Sequence, residues 1–311
     1  CLRYFMAKIE QRKAMSSIYQ LRDKQGQWVE GFDAVADIIT AFYKDLLGKQ
    51  DSQRCQVDPQ VTKYGHTLSL EQQINLSQPF KDFEIKQALF SIPEFKSPGP
   101  DGFNSGFYKA SWKHTSTMVC QAVQEFFRKG DLLSFYGETK LVMLPKTNNP
   151  EKASDFRPIS CCNVIYKTIT KLICSRLKEV LPTIINEGQG AFVQGRELLF
   201  NVLLCHDLTR GCNRKFHPLS CIMKVDLHKA FDSVHWAFLE EWLKALKFPP
   251  LLIMEVMNCI TSVQFTISIN GKQGTKFKGK RGLKQGDPLS PLLFVMTMEY
   301  LSKLFKRAST Q

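Results

Sequence analysis

Long apolar runs are absent from the 311 residues. The longest, around Pro291–Met298, falls well short of the roughly 18 consecutive apolar residues that a membrane helix needs, so no membrane partner is expected. The first residues, CLRYFMAKIEQRK, contain charges and lack the apolar core of a secretory leader. They also lack an initiator Met, which reads as a start inside a longer product. Internal repeats and low-complexity tracts are missing. None of the ten cysteines forms a CxxC pair. Cys205, His206, Cys212 and His217 fit no common zinc-finger spacing, so the thiols read as small hydrophobes in a reducing compartment. Acidic residues are scarce: 29 Asp+Glu face 42 Lys+Arg, a net charge of +13, which points to a polyanionic partner. With 43% hydrophobic and 23% charged residues, the chain has the composition of a globular protein and not of a disordered one.

The basic excess is local. Lys272, Lys276, Lys278, Lys280, Arg281 and Lys284 fall within one stretch that has no acidic residue. It reads either as a nucleic-acid contact or as a charged hairpin guarding a sheet edge. Apolar spacing predicts helices over Asp33–Leu47, Lys81–Ile92, Trp112–Arg128, Ile165–Leu181, Ser233–Leu246 and Ser290–Phe305. Leu141–Leu144 and Leu219–Val225 read as strands, the second buried. Asn270-Gly271 is expected to turn a hairpin between Val263–Ile269 and Thr275–Lys280. Gly48–Thr67 reads as a linker and Lys96–Gly102 as a rigid Pro/Gly loop. Helices and strands mix without regular alternation, which predicts an α+β fold.

Two segments carry chemistry. In VDLHKAFDSVHW, Asp226 is expected where a strand leaves the core, positioned to offer oxygen to a hard cation together with the next carbonyl. The bland alternative makes Asp226 a turn residue, and Asp232 is read as the N-cap of the following helix. In RGLKQGDPLSP, glycines let backbone approach a ligand and prolines stiffen the turn into a helix. Gln285 there offers an amide to a base or sugar.

These segments resemble the reverse transcriptase of plant non-LTR (LINE-type) retrotransposons. Six motifs follow in the family's order: KSPGPDGF from Lys96, LPK…DFRPIS from Leu144, IYKTITKLICSRL from Ile165, GQGAFVQGR from Gly188, VDLHKAFDSVHW from Val225 and RGLKQGDPLSP from Arg281. The resemblance implies the fingers and partial palm of a right-hand polymerase, without a thumb. It divides the chain into an N-terminal extension (1–80), fingers (81–218) and partial palm (219–311). It implies RNA-directed DNA polymerisation by two-metal nucleotidyl transfer, with Mg²⁺, or Mn²⁺ in its place, as cofactor. An RNA template, a DNA primer or target and dNTPs would be its partners, in the nucleus or a cytoplasmic ribonucleoprotein.

Residue by residue, Asp226 matches the first catalytic, metal-binding aspartate and the Leu227 carbonyl its neighbouring ligand. Phe231 matches the aromatic gate that excludes a ribose 2′-OH, with a core aromatic as the plain alternative. Arg157 and Lys146 match the residues that meet the triphosphate, with a surface ion pair as the alternative for Arg157. Gln285 and Gly286 match the nucleotide-pocket loop. Arg196, Lys278, Lys280, Arg281 and Lys284 are expected near nucleic acid. The family's aromatic-x-Asp-Asp segment occurs nowhere in the sequence, and Asp287 is the only aspartate after Asp232. The chain by itself is therefore expected to be inactive. A non-catalytic RNA-binding scaffold and a group II intron maturase-like splicing factor are the competing functions.

Overall fold

A computed structural model describes residues 4, 6–8, 17–49, 56–212 and 222–310. A two-stranded ribbon, β1 (Gln20–Arg22) and β2 (Trp28–Glu30), leads into α1 (Phe32–Gly48). Helices α2 (Leu70–Leu76), α3 (Asp82–Phe90), α4 (Ser105–Ala110) and α5 (Trp112–Lys129) follow. Strands β3 (Glu138–Pro145) and β4 (Phe156–Cys162) form an antiparallel pair, followed by α6 (Val164–Ile184) and α7 (Leu198–Cys212). Helices α8 (Trp236–Ala245) and α9 (Pro250–Thr261), the hairpin β5 (Gln264–Ile269) and β6 (Lys272–Lys278), and α10 (Ser290–Thr310) complete the order.

The four larger strands make one mixed sheet in the order β4-β3-β5-β6, with β3 and β5 parallel. Its hairpin turns at Asn270 (φ 48°) and Gly271 (φ 83°), two successive left-handed residues, as the dipeptide predicts. β6 is an edge strand. Its Lys276 pairs with Glu138 at 2.6 Å and its Lys272 ammonium lies 4.5 Å above the Phe32 ring, so both lysines have partners on the protein.

Two apolar cores result. The larger surrounds α6, which is buried on nearly every side: Ile165, Tyr166, Ile169, Leu172, Ile173 and Leu177 are all inside. A helix apolar all round belongs at the centre of a core, and helices α3, α5, α8, α9 and α10 contribute to it. The second core lies between the sheet and α1, where Val35, Ile39, Tyr43 and Leu47 meet Leu141, Phe156, Phe265 and Ile267. Trp236 packs against both. Thus α1, read from sequence as part of an extension, shares a core with the central strands.

Three expectations are corrected. Residues 222–225 have no regular structure, and Ile222, Met223 and Val225 are exposed, so no buried strand leads to Asp226; 219–221 lie outside the described residues. The helix expected at Ser233 starts at Trp236 with His235 as its cap, because turns occupy 228–233. Asp232 therefore caps no helix. The linker contains a 3-10 helix at Pro59–Tyr64, started by the Asp58 side chain accepting from the Gln60 N–H. Residues 50–55 of it lie outside the described set. Among the described residues, no helix is long and apolar enough to cross a membrane.

Candidate active-site cleft

The two motif segments are joined through their backbones. Gly282 N–H donates to the Val234 carbonyl and Leu283 N–H to the Phe231 carbonyl, each at 2.8 Å. The Trp236 indole donates to the Gly282 carbonyl at 2.7 Å. Gly282 adopts φ 85°, and a Cβ there would stand 2.9 Å from the Asp232 carbonyl oxygen, so only glycine lets the two segments approach this closely. Beyond it, Ser160 N–H of β4 donates to the Gln285 carbonyl at 2.7 Å. The QGDP loop is thereby tied to the strand that carries Arg157.

The junction walls a cleft of about 430 Å³. Asp226, Lys146, Arg157 and Gln285 all line it, as do Leu227 and Asp232. Its remaining wall comes from α1, through Phe42, Tyr43 and Leu46. Asp226 and Arg157 are exposed, and among the described residues Arg157 has no ion-pair partner. This leaves its guanidinium available to a ligand, and the surface-pair alternative is not what the structure has. Lys146 is exposed too, held by its Nζ donating to the Ser154 carbonyl at 2.7 Å.

Asp232 is the cleft residue that sequence reasoning missed. It is 6% exposed, and the Gln285 amide donates to both its carboxylate oxygens, at 3.2 and 3.4 Å. Burial pushes its carboxyl above the ordinary aspartate range, opposed by the Gln285 hydrogen bond and by the charges of Lys229, Lys146 and Arg281. Its six-residue offset from Asp226 was visible in VDLHKAFDSV, but the cap reading competed for the same residue.

Other expected residues stand elsewhere. Phe231 does not line the cleft; its ring stacks on Phe294 of α10 at 4.8 Å, the place of a core aromatic. Arg196 donates to four backbone carbonyls, those of Pro182, Ile185, Asn186 and Gln189, and so ties down the end of α6. Arg281 Nε donates to the Leu46 carbonyl at 2.6 Å, and the Lys280 and Arg281 N–H groups to that of Leu47, closing the end of α1. Lys284 is 4% exposed, with its ammonium 3.7 Å from the Tyr166 ring centroid. This is a correction, since a buried ammonium cannot contact a strand from solvent. Lys278 and Lys280 are exposed, and Gly286 lies exposed on the loop. Asp287 is buried, accepting from the Tyr166 hydroxyl at 2.8 Å.

Residues 144–310, more than half the chain and nearly all of this junction, match the family described as reverse transcriptase (RNA-dependent DNA polymerase). The chain belongs to that reverse transcriptase family. It is 29% identical over 308 residues, 98% of its length, to the transposon TX1 uncharacterized 149 kDa protein of Xenopus laevis. It is also 29% identical over 266 residues, 85% of its length, to the retrovirus-related Pol polyprotein of the type-2 retrotransposable element R2DM of Drosophila melanogaster. A probable RNA-directed DNA polymerase from transposon BS of the same fly is 26% identical over 246 residues. The chain spans about a quarter of the length of these relatives (23%, 24% and 26%).

Divalent metals are the usual cofactors of this reverse transcriptase family. The carboxylates that line the cleft, Asp226 and Asp232, are oxygen donors of the kind a hard cation takes, and Leu227 lies between them on the same wall. Among the described residues, no group of three or more Asp, Glu, His or Cys is placed to hold a metal ion.

Proposed function

We propose that this cleft is the nucleotide-binding half of the active site of a non-LTR retrotransposon RNA-directed DNA polymerase. The carrying observation is that Asp226, Arg157 and Gln285, contributed by three separate segments, border one cavity. Asp226 and the Leu227 carbonyl hold Mg²⁺ against the triphosphate of an incoming dNTP. Arg157 meets the phosphates with its planar fork and Lys146 adds a point charge. Gln285 and Gly286 border the base or sugar. Lys278 and Lys280 face nucleic acid from the sheet edge. In the right-hand description, β3, β4 and α6 belong to the fingers, and the 226–236 and 281–291 segments to the palm.

Calorimetric titration of dTTP with MgCl2 tests this. Arg157→Ala should weaken binding about tenfold, the value of one lost charge-assisted hydrogen bond of about 1.5 kcal/mol. Asp226→Ala should remove the dependence on Mg²⁺. Equal affinities in all three proteins would refute the assignment. The scarcity of carboxylates favours one second reading, a scaffold that binds RNA without catalysis. Under it, salt-sensitive RNA binding persists in Asp226→Ala while dTTP binding is absent from every form.

A further inference from the structure

Both oxygens of the buried Asp232 carboxylate are committed to one amide. The Gln285 Nε2 group donates to them at 3.2 and 3.4 Å, and the carboxylate is 6% exposed. Among the described residues, the Asp232 side chain has no other hydrogen bond and no ion pair. The backbone of Gln285 is equally fixed. The preceding residue, Leu283, donates its N–H to the Phe231 carbonyl at 2.8 Å across one intervening position, and the Gln285 carbonyl accepts from Ser160 N–H at 2.7 Å. With main chain and amide both held, the one choice left to Gln285 is which end of its amide meets Asp232.

Chemistry makes that choice. An amide has a donor end and an acceptor end, whereas a carboxylate only accepts. The nitrogen must therefore face Asp232. Turning the amide over would set its carbonyl oxygen against two buried oxygens with no hydrogen between them, leaving acceptors unsatisfied away from water. The amide oxygen Oε1 is the end that remains, and among the described residues no group donates to it. Gln285 is only partly buried, and it lines the cleft together with Asp232. Without Asp232 the same amide could present either end to a ligand.

We infer that Asp232 is a positioning residue: by holding the Gln285 nitrogen it leaves the amide oxygen to the ligand, so the cleft selects a nucleotide that offers a hydrogen-bond donor there. The inference rests on the nucleotide reading of the cleft. A thymidine nucleotide carries two donors away from its phosphates, the sugar 3′-hydroxyl and the base N3–H. A group in that place that can only accept would leave the amide oxygen unpaired, and a site built on a hydrogen bond rejects such an analogue strongly.

The test is calorimetric titration of the full chain at neutral pH with MgCl2 and three nucleotides. These are dTTP, 3′-fluoro-3′-deoxythymidine triphosphate, which cannot donate from the sugar, and N3-methyl-dTTP, which cannot donate from the base. The parent should bind one of the two analogues about tenfold more weakly than dTTP, and which one it is tells sugar from base. Asn at 232 can accept from the amide or donate to it, so Gln285 is free to turn over. In Asp232→Asn the discrimination should therefore fall to about threefold or less, with the Mg²⁺ dependence unchanged. Gln285→Met should abolish the discrimination, and adding Asp232→Asn to it should change nothing further, because the carboxylate acts only through the amide. A merely structural role for Asp232 would weaken all three nucleotides alike and keep their ratios. That outcome, or a parent that discriminates against neither analogue, overturns the inference and leaves the cleft standing. So does an altered Mg²⁺ dependence in Asp232→Asn, which would make Asp232 a metal ligand. If dTTP binds to no form, the cleft reading fails and the inference with it.

Discussion

Asp232 shows how a single carboxylate can be set by its surroundings. Its folded carboxyl titrates above the unfolded one, because burial outweighs Gln285 and the nearby cations. The folded state therefore holds its proton to higher pH than the unfolded chain. Its contribution to stability is largest below the unfolded value and falls as pH rises through the folded one. Asp232→Asn, which retains a partner for Gln285, should raise the midpoint of thermal unfolding at pH 7 relative to the parent and leave it unchanged near pH 3. A variant less stable at pH 7 would mean that the charged form is favoured in the fold. Lys284 gives the opposite lesson. Its ammonium rests on the Tyr166 ring with no hydrogen-bond acceptor among the described residues. Lys284→Met should fold with stability within about 1 kcal/mol of the parent and leave the salt slope of RNA binding unaltered. A drop in that slope would return Lys284 to the nucleic-acid surface. Asp226, Arg157 and Gln285 were readable as residues because each sits in a motif with its own chemistry. The burial of Lys284 was not, since lysine is rarely enclosed and sequence gives only its charge.

Elements with strong apolar periodicity were legible: α5 ends one residue past its prediction, α1 runs one residue past at each end, and α6 starts one residue early and ends three residues late. Helix α9 was not foreseen, although Pro250 stands at its first turn, because its apolar residues do not interrupt with the polar positions that mark a face. The segment before Asp226 failed for a related reason. Its Ile, Met and Val satisfy a strand pattern, but a strand forms only where a neighbour accepts its hydrogen bonds, and the sheet here ends at β4 and β6. The pairing of 231–234 with 282–283 is a tertiary event that no local pattern announces. It makes a prediction: Gly282→Ala, forced against the Asp232 carbonyl at positive φ, should cost about 2 kcal/mol in urea unfolding. An undiminished midpoint would show that the two segments separate freely. At the end of α6, Arg196→Gln should lower stability by about 1–3 kcal/mol through lost carbonyl partners, with RNA affinity intact. Loss of RNA affinity at full stability would restore its expected role.

Across the molecule, one sheet joins segments that sequence divides at 218/219, and α1 walls the cleft with residues assigned to an extension. The N-terminal region thus forms one wall of the cleft, and its amphipathic helix turns its apolar face to the sheet. Helix α7 is the exception to burial. Leu198, Leu199, Phe200, Val202, Leu203 and Leu204 are all exposed, an apolar surface uncommon on a monomer. The isolated chain should bind anilinonaphthalene sulfonate in its native state and elute larger than 35.6 kDa in size-exclusion chromatography. A dye-silent monomer would contradict that. With Asp226 and Asp232 the carboxylates of the cleft, the 311-residue chain should incorporate no detectable dTTP on poly(rA)/oligo(dT), even though it binds the nucleotide. The most direct test of the central claim is photoaffinity labelling with azido-dUTP and MgCl2, followed by peptide mass mapping. Label confined to peptides containing Lys146–Pro158 and Leu283–Gly286, and competed by dTTP, is the expected result; label on other surfaces, or none that dTTP displaces, would contradict the nucleotide site.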